Sequence, residues 1–173
     1  MPSDMFQTLS HHLKMKNKIK MVKKRKLNMA LLAIAFISVI IMAFLGSLFT
    51  SPNTNTTWYQ SIKPSITPPD WVFPIAWNIL FLLIAVSFYF VLVKKDKKSI
   101  IFFAINFILN VLWSIFYFGL KNPLLAFIEI ILLWLSIIFM IKFSYKIDKK
   151  SAYLLIPYLL WVSFAAVLNF LSI

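Results

Sequence analysis

The sequence predicts an all-α integral membrane protein, a bundle of five transmembrane helices with its N-terminus inside and its C-terminus outside. Three observations carry that prediction. Of 173 residues, 61% are hydrophobic and only 13% charged, and mean hydropathy is +0.86. A water-soluble domain of this size needs far more polar surface. The apolar residues gather into five runs, each of about 19–23 residues, enough to cross a hydrocarbon core at about 1.5 Å per helical residue. Of the 18 Lys and Arg residues, all but Lys63 and Lys121 fall on one side of these runs. That is the positive-inside pattern, and it requires an odd number of crossings. The net charge of +13 therefore marks topology and attraction to anionic lipid, not nucleic-acid binding.

Residues 1–26 are polar and end in the basic run Lys14 to Lys26. They are expected to form a disordered cytoplasmic tail, within which Met15, Met21 and, just beyond, Met29 offer alternative starts. The membrane domain covers 27–173. Its first span, 27–49, is too long for a signal-peptide core, and Thr50-Ser51-Pro52 is no small-x-small cleavage site, so it is retained. The connection 50–70 carries Pro52, Pro64, Pro68 and Pro69 together with Trp58, Tyr59 and Ile62. Prolines lower the entropy lost on ordering, and a plain linker would not carry those side chains, so a structured lid is expected. Asp70 is placed to cap the second span, 71–93. Spans 99–120, 123–141 and 151–173 follow with connections so short that successive helices must be antiparallel neighbours.

Polar groups inside lipid are costly and each needs a reason. In the third span Asn106, Asn110, Trp113, Ser114 and Tyr117 share one helical face, with Ile, Phe and Leu opposite. The two asparagines serve equally well as hydrogen-bonding glue between helices or as polar points of a binding site. Trp113 and Tyr117 favour a pocket. Glu129 is the only carboxylate within a span. It is either a protonated, hydrogen-bonded group or a polar anchor or proton relay. In the fifth span Tyr158, Trp161, Ala165 and Asn169 share a face after Pro157; in the second, Phe73, Trp77 and Phe81 do so. Trp77 and Trp161 lie deeper than the usual interfacial belt and are read as pocket walls. Aromatic walls with few polar anchors suit one flat, mostly apolar ligand, a conjugated ring or a sterol.

Several classes of chemistry are excluded. The chain has no cysteine, only two glycines, and two histidines, His11 and His12, both in the tail. No thiolate site, phosphate-cradling loop, imidazole metal site or nucleophile–base pair can be assembled inside the membrane. No cofactor is expected.

The run Trp58-Tyr59…Lys63-Pro64-Ser65…Pro68-Pro69…Phe73-Pro74-Ile75-Ala76-Trp77 resembles the first loop and second helix of the TspO/translocator-protein family, also known as the peripheral-type benzodiazepine receptor family. Asn106-x3-Asn110-x2-Trp113 and Pro157-Tyr158-x2-Trp161-x3-Ala165-x2-Leu168-Asn169 resemble its third and fifth helices. The resemblance covers residues 28–173. The Lys, Ile, Asn and Phe bias, with no outer-membrane barrel pattern, points to a bacterial plasma membrane. The resemblance implies a five-helix bundle, often a homodimer, binding porphyrins, sterols or benzodiazepine-like ligands in a pocket under the first loop. By position it implies that Tyr59, Trp77, Phe81, Asn110, Trp113, Ser114, Glu129, Trp161 and Ala165 line that pocket. It further implies light-dependent porphyrin degradation at Trp77 and Trp161. Glu129, as the lone carboxylate within a span, gives ion-coupled small-molecule transport as a separate alternative. The Tyr and Lys or Arg of the family's cholesterol motif have no counterpart in Leu168-Asn169-Phe170-Leu171-Ser172-Ile173.

Overall fold

The computed structural model describes residues 3–173, with side chains described throughout from Asn28 onward. Helix α1 spans Ser3–Thr50, and its apolar portion Asn28–Thr50 is long enough to cross a membrane. The backbone is helical from Ser3. No proline or glycine interrupts residues 3–45, and Lys, Leu and Met are good helix formers. Gly46 then lets α1 approach its neighbour closely, since a Cβ there would sit 3.3 Å from Ser114 Oγ.

The connection after α1 is ordered by short-range bonds. Asn53 Nδ2 donates to Phe49 O at 2.8 Å, and Thr56 caps the short helix α2, Thr57–Ile62, by accepting from Tyr59 N. The expected cap at Asp70 is not formed. The N-cap of α3, Val72–Lys94, is Trp71, with no side-chain cap bond. The Asp70 carboxylate instead accepts from Lys63 Nζ at 2.6 Å, closing the loop on itself.

At the lysine-rich end α3 stops with Lys95 in the left-handed region, φ 56°. Asp96 then caps α4, Lys97–Ser114, accepting from Ser99 N at 2.8 Å. That bond holds the Asp96 carboxyl below its ordinary value. The third span does not end as regular α-helix. Residues Ile115–Gly119 form one π-helical turn, a distortion often found at functional sites. Asn122 caps α5, Pro123–Ile147, with Pro123 in its first turn. This helix is longer than the expected 123–141, so Lys142 and Lys146 belong to its last turns rather than to a loop. Their long stems let the ammonium groups reach water. The fifth span comes in two pieces, α6 (Lys149–Leu154) and α7 (Ile156–Phe170). The break at Leu155 follows from Pro157, which lacks the N–H that continuous helix requires.

The spans pack as antiparallel neighbours, most extensively α4 with α5, α1 with α3, and α5 with α7. The core holds Ile84, Phe103, Ile137, Met140, Leu155 and Tyr158, all essentially inaccessible. Phe88 and Phe103 stack at 4.9 Å between α3 and α4. Polar groups inside pair across helices. Asn106 Nδ2 donates to Ser136 Oγ at 2.8 Å, the Tyr158 hydroxyl donates to Asn106 Oδ1 at 3.2 Å, and Asn110 Nδ2 donates to that hydroxyl at 3.0 Å. This network ties α4, α5 and α7 together at mid-membrane. The outward surface is Ile, Leu and Phe, as lipid demands.

Candidate functional site: an aromatic cavity under the first loop

Above that network, towards the lysine-poor end, the helices part around a cavity of about 480 Å³, within the range of small-molecule sites. Its walls come from three spans. Trp77 projects from α3, with Phe73 one turn earlier; Trp113 comes from the end of α4; Trp161, Ala165 and Leu168 come from α7. The loop closes the top with Thr54, Asn55, Tyr59, Pro64, Thr67 and Asp70.

The aromatic walls hold one another in place. Trp113 stacks on Tyr117 at 5.2 Å and donates its indole N–H to Asn169 Oδ1 at 3.0 Å. Asn169 in turn donates to Pro123 O at 2.8 Å, and the Tyr117 hydroxyl donates to Ser172 Oγ at 2.9 Å. The π-helical turn brings both Tyr117 and Phe118 inward, and Tyr59 packs against them at 6.5 and 5.5 Å. That burial, with the Tyr117 ring and the Asp70 carboxylate nearby, pushes the Tyr59 phenol up to about 12. Trp77 lies against Phe81 at 5.2 Å, and Trp161 meets Phe73 edge-on at 5.9 Å. Thr67 Oγ1 is buried beside the cavity and has no hydrogen-bond partner among the described residues.

Of the residues expected to bind ligand, Tyr59, Trp77, Trp113, Tyr117, Trp161 and Ala165 border this one cavity. Phe81, Asn106, Asn110, Ser114 and Glu129 do not. Phe81 stands behind Trp77. Asn106 and Asn110 lie one to two turns deeper than Trp113 and are occupied by the Tyr158–Ser136 network, so they act as glue between helices. Ser114 faces Gly46 of α1. Glu129 is only 4% exposed, and neither carboxylate oxygen has a partner among the described residues.

Apart from the loop and the end of α1, the lining residues missed were Phe73 and Pro74 on α3, Phe118 in the π-helical turn, and Leu168, Asn169 and Ser172 in and just after α7. A signal for the last three was present. Trp161, Ala165, Leu168, Asn169 and Ser172 continue one helical face to the chain end. The loop contributors had none, because irregular backbone has no period to read.

Chemically, the cavity offers aromatic faces, a few hydroxyl and amide groups and one carboxylate already paired with lysine. Among the described residues no three His, Cys, Asp or Glu side chains cluster to hold a metal.

A sequence profile of the TspO/MBR family matches residues 21–172. The "Tryptophan-rich protein TspO" of Chlorobaculum tepidum is 39% identical over 134 residues, covering 75% of this chain and 85% of that protein. The protein of the same name in Archaeoglobus fulgidus is 38% identical over 148 residues, covering 83% and 95%. "Protein CrtK" of Rhodobacter capsulatus is 32% identical over 150 residues, covering 83% and 91%. With five membrane-length helices and a profile match across nearly the whole bundle, this multi-pass membrane protein belongs to the TspO/MBR family.

Proposed function

We propose that the chain is a plasma-membrane receptor or carrier that binds a flat, mostly apolar ring of the porphyrin class, with sterols as the secondary class, in the cavity beneath the 50–70 connection. The lysine-rich end faces the cytoplasm in this reading, so the cavity opens towards the outer face. The single observation that carries it is the convergence of Trp77, Trp113 and Trp161, from three different spans, on one space. Indole faces stack on conjugated rings and release the water around them. A carboxylate-bearing ring meets hydroxyl and amide donors at the loop end, Thr54, Asn55 and Thr67 among them.

Titration of the purified protein with protoporphyrin IX tests this. Saturable tryptophan quenching that disappears in the Trp77→Phe, Trp161→Phe double variant supports binding. Quenching that rises linearly, or that the double variant retains in full, refutes it. A second reading has one observation in its favour: the Trp77 and Trp161 indoles both border the space a ring would fill. Loss of the porphyrin absorbance only under light and oxygen, and only with both tryptophans intact, would mark photo-oxidative degradation. Homodimerisation belongs to the same reading, and the mass of the detergent-solubilised protein tests it.

A further inference from the structure

A second concavity lies on the lipid-facing side of the bundle, between α3 and α7. It is a groove of about 450 Å³ lined by Ala76, Ile79 and Leu80 on one side and Leu160, Trp161 and Phe164 on the other. Trp161 lines both this groove and the aromatic cavity. One indole ring therefore stands between the cavity and the acyl-chain region.

The geometry of the fifth span explains the gap. Near the lysine-rich end α6 is clasped to α3 by reciprocal bonds: Ser87 Oγ donates to Ser151 O at 2.9 Å, and Ser151 Oγ to Ser87 O at 3.0 Å. After the break at Leu155, α7 leaves α3 and packs mainly on α5. The two spans form a wedge, pinned at one end and parted at the other.

Nothing polar holds the door shut. Among the described residues the Trp161 indole N–H has no hydrogen-bond partner, whereas Trp113 donates to Asn169 and Trp134 to Ser163. Trp161 is held by apolar packing against the core and by ring contacts with Phe73 at 5.9 Å and Phe164 at 6.0 Å. Rotating it costs packing but breaks no bond. The loop mouth is held more firmly, by the Lys63–Asp70 ion pair, the buried Tyr59 and its prolines.

We infer that the ring ligand reaches and leaves the cavity sideways, from the bilayer through the α3/α7 groove, with Trp161 as the swinging wall. The groove's occupant is the ligand in transit, because the groove is almost wholly apolar and shares Trp161 as a wall with the cavity. The inference rests on the ring-ligand reading and adds that the ligand is taken from the membrane phase.

The full chain in liposomes, receiving protoporphyrin IX from donor vesicles and followed by the porphyrin's own fluorescence, tests it. Ala76→Phe and Ile79→Trp fill the groove without touching the cavity lining. Each should slow association and dissociation together by about tenfold and leave Kd within about twofold, since a blocked path changes the barrier and not the end states. Phe164→Ala widens the groove and should raise both rates, a gain that misfolding does not produce. Lys63→Gln frees the loop and should leave the rates as they were. Parental rates in all three groove variants, or faster uptake in Lys63→Gln alone, overturn the lateral route in favour of the loop mouth. Absence of saturable binding in the parent protein is a different failure, which refutes the ring-ligand reading itself.

Discussion

Replacing Tyr158 by phenylalanine separates the glue between the helices from the cavity above it. The Tyr158 ring is fully buried in the core, and its edge meets Trp77 at 6.3 Å. Tyr158→Phe keeps that packing and removes only the hydroxyl. Two bonds go with it: the donation to Asn106 Oδ1 at 3.2 Å and the acceptance from Asn110 Nδ2 at 3.0 Å. Asn106 keeps its bond to Ser136, but the Asn110 amide loses its interhelical partner. Interhelical side-chain bonds within membranes are worth on average about 0.6 kcal/mol and at most about 1.7. Two of them give an expected loss of about 1–3 kcal/mol. Reversible unfolding in mixed detergent micelles measures this directly. Porphyrin affinity should stay at the parental value, because Tyr158, Asn106 and Asn110 lie outside the cavity lining. Unchanged stability with weakened ligand binding would refute the reasoning and return both asparagines to the ligand site.

Four further outcomes are expected. Trp161→Ala should weaken ring-ligand binding by about 1–3 kcal/mol, the scale of one lost aromatic contact with its burial, and an unchanged titration curve removes Trp161 from the site. Because the Tyr59 phenol is pushed up to about 12 in the folded state, the folded form keeps its proton where the unfolded form has lost it. The stability Tyr59 gives is therefore complete below about pH 10 and declines as pH rises from there towards 12. Protease cleavage of the 50–70 connection should increase over that window, and Tyr59→Phe should flatten the part due to this group. Glu129→Leu replaces a buried carboxyl without a partner among the described residues and should raise unfolding stability by about 1–3 kcal/mol, without altering porphyrin affinity; a fall in stability would reveal a bond the carboxyl makes. Gly46→Val puts atoms against Ser114 Oγ, which already lies 3.3 Å from the position of a Cβ, and should cost about 1–3 kcal/mol in the same unfolding assay.

Much of this molecule is legible in one dimension because lipid simplifies the reading. A backbone in hydrocarbon must satisfy its own hydrogen bonds, so five apolar runs separated by lysines could become only helices. The tryptophans were legible for a related reason: a large ring with a polar N–H set deep in a span, on a face with small or polar neighbours, has little cause to point at acyl chains. Periodicity likewise placed Trp113 with Tyr117, and Trp161 with Ala165.

Depth along the helix was not legible. One face of the third span carries Asn106, Asn110, Trp113 and Tyr117, but the lower half is consumed by Tyr158 and Ser136 and only the upper half meets the cavity. A helical wheel projects both halves onto the same spot. Nor could the pattern show that Pro157 would split the fifth span and part α7 from α3, that Asp70 would pair with Lys63 rather than cap a helix, or that Glu129 would be shut away from the cavity. Hydropathy and charge fix which segments cross and which faces turn inward, since each residue meets lipid or protein by itself. Where the inward faces meet one another depends on contacts between residues as far apart in sequence as Phe73 and Trp161, and only the packed bundle decides those.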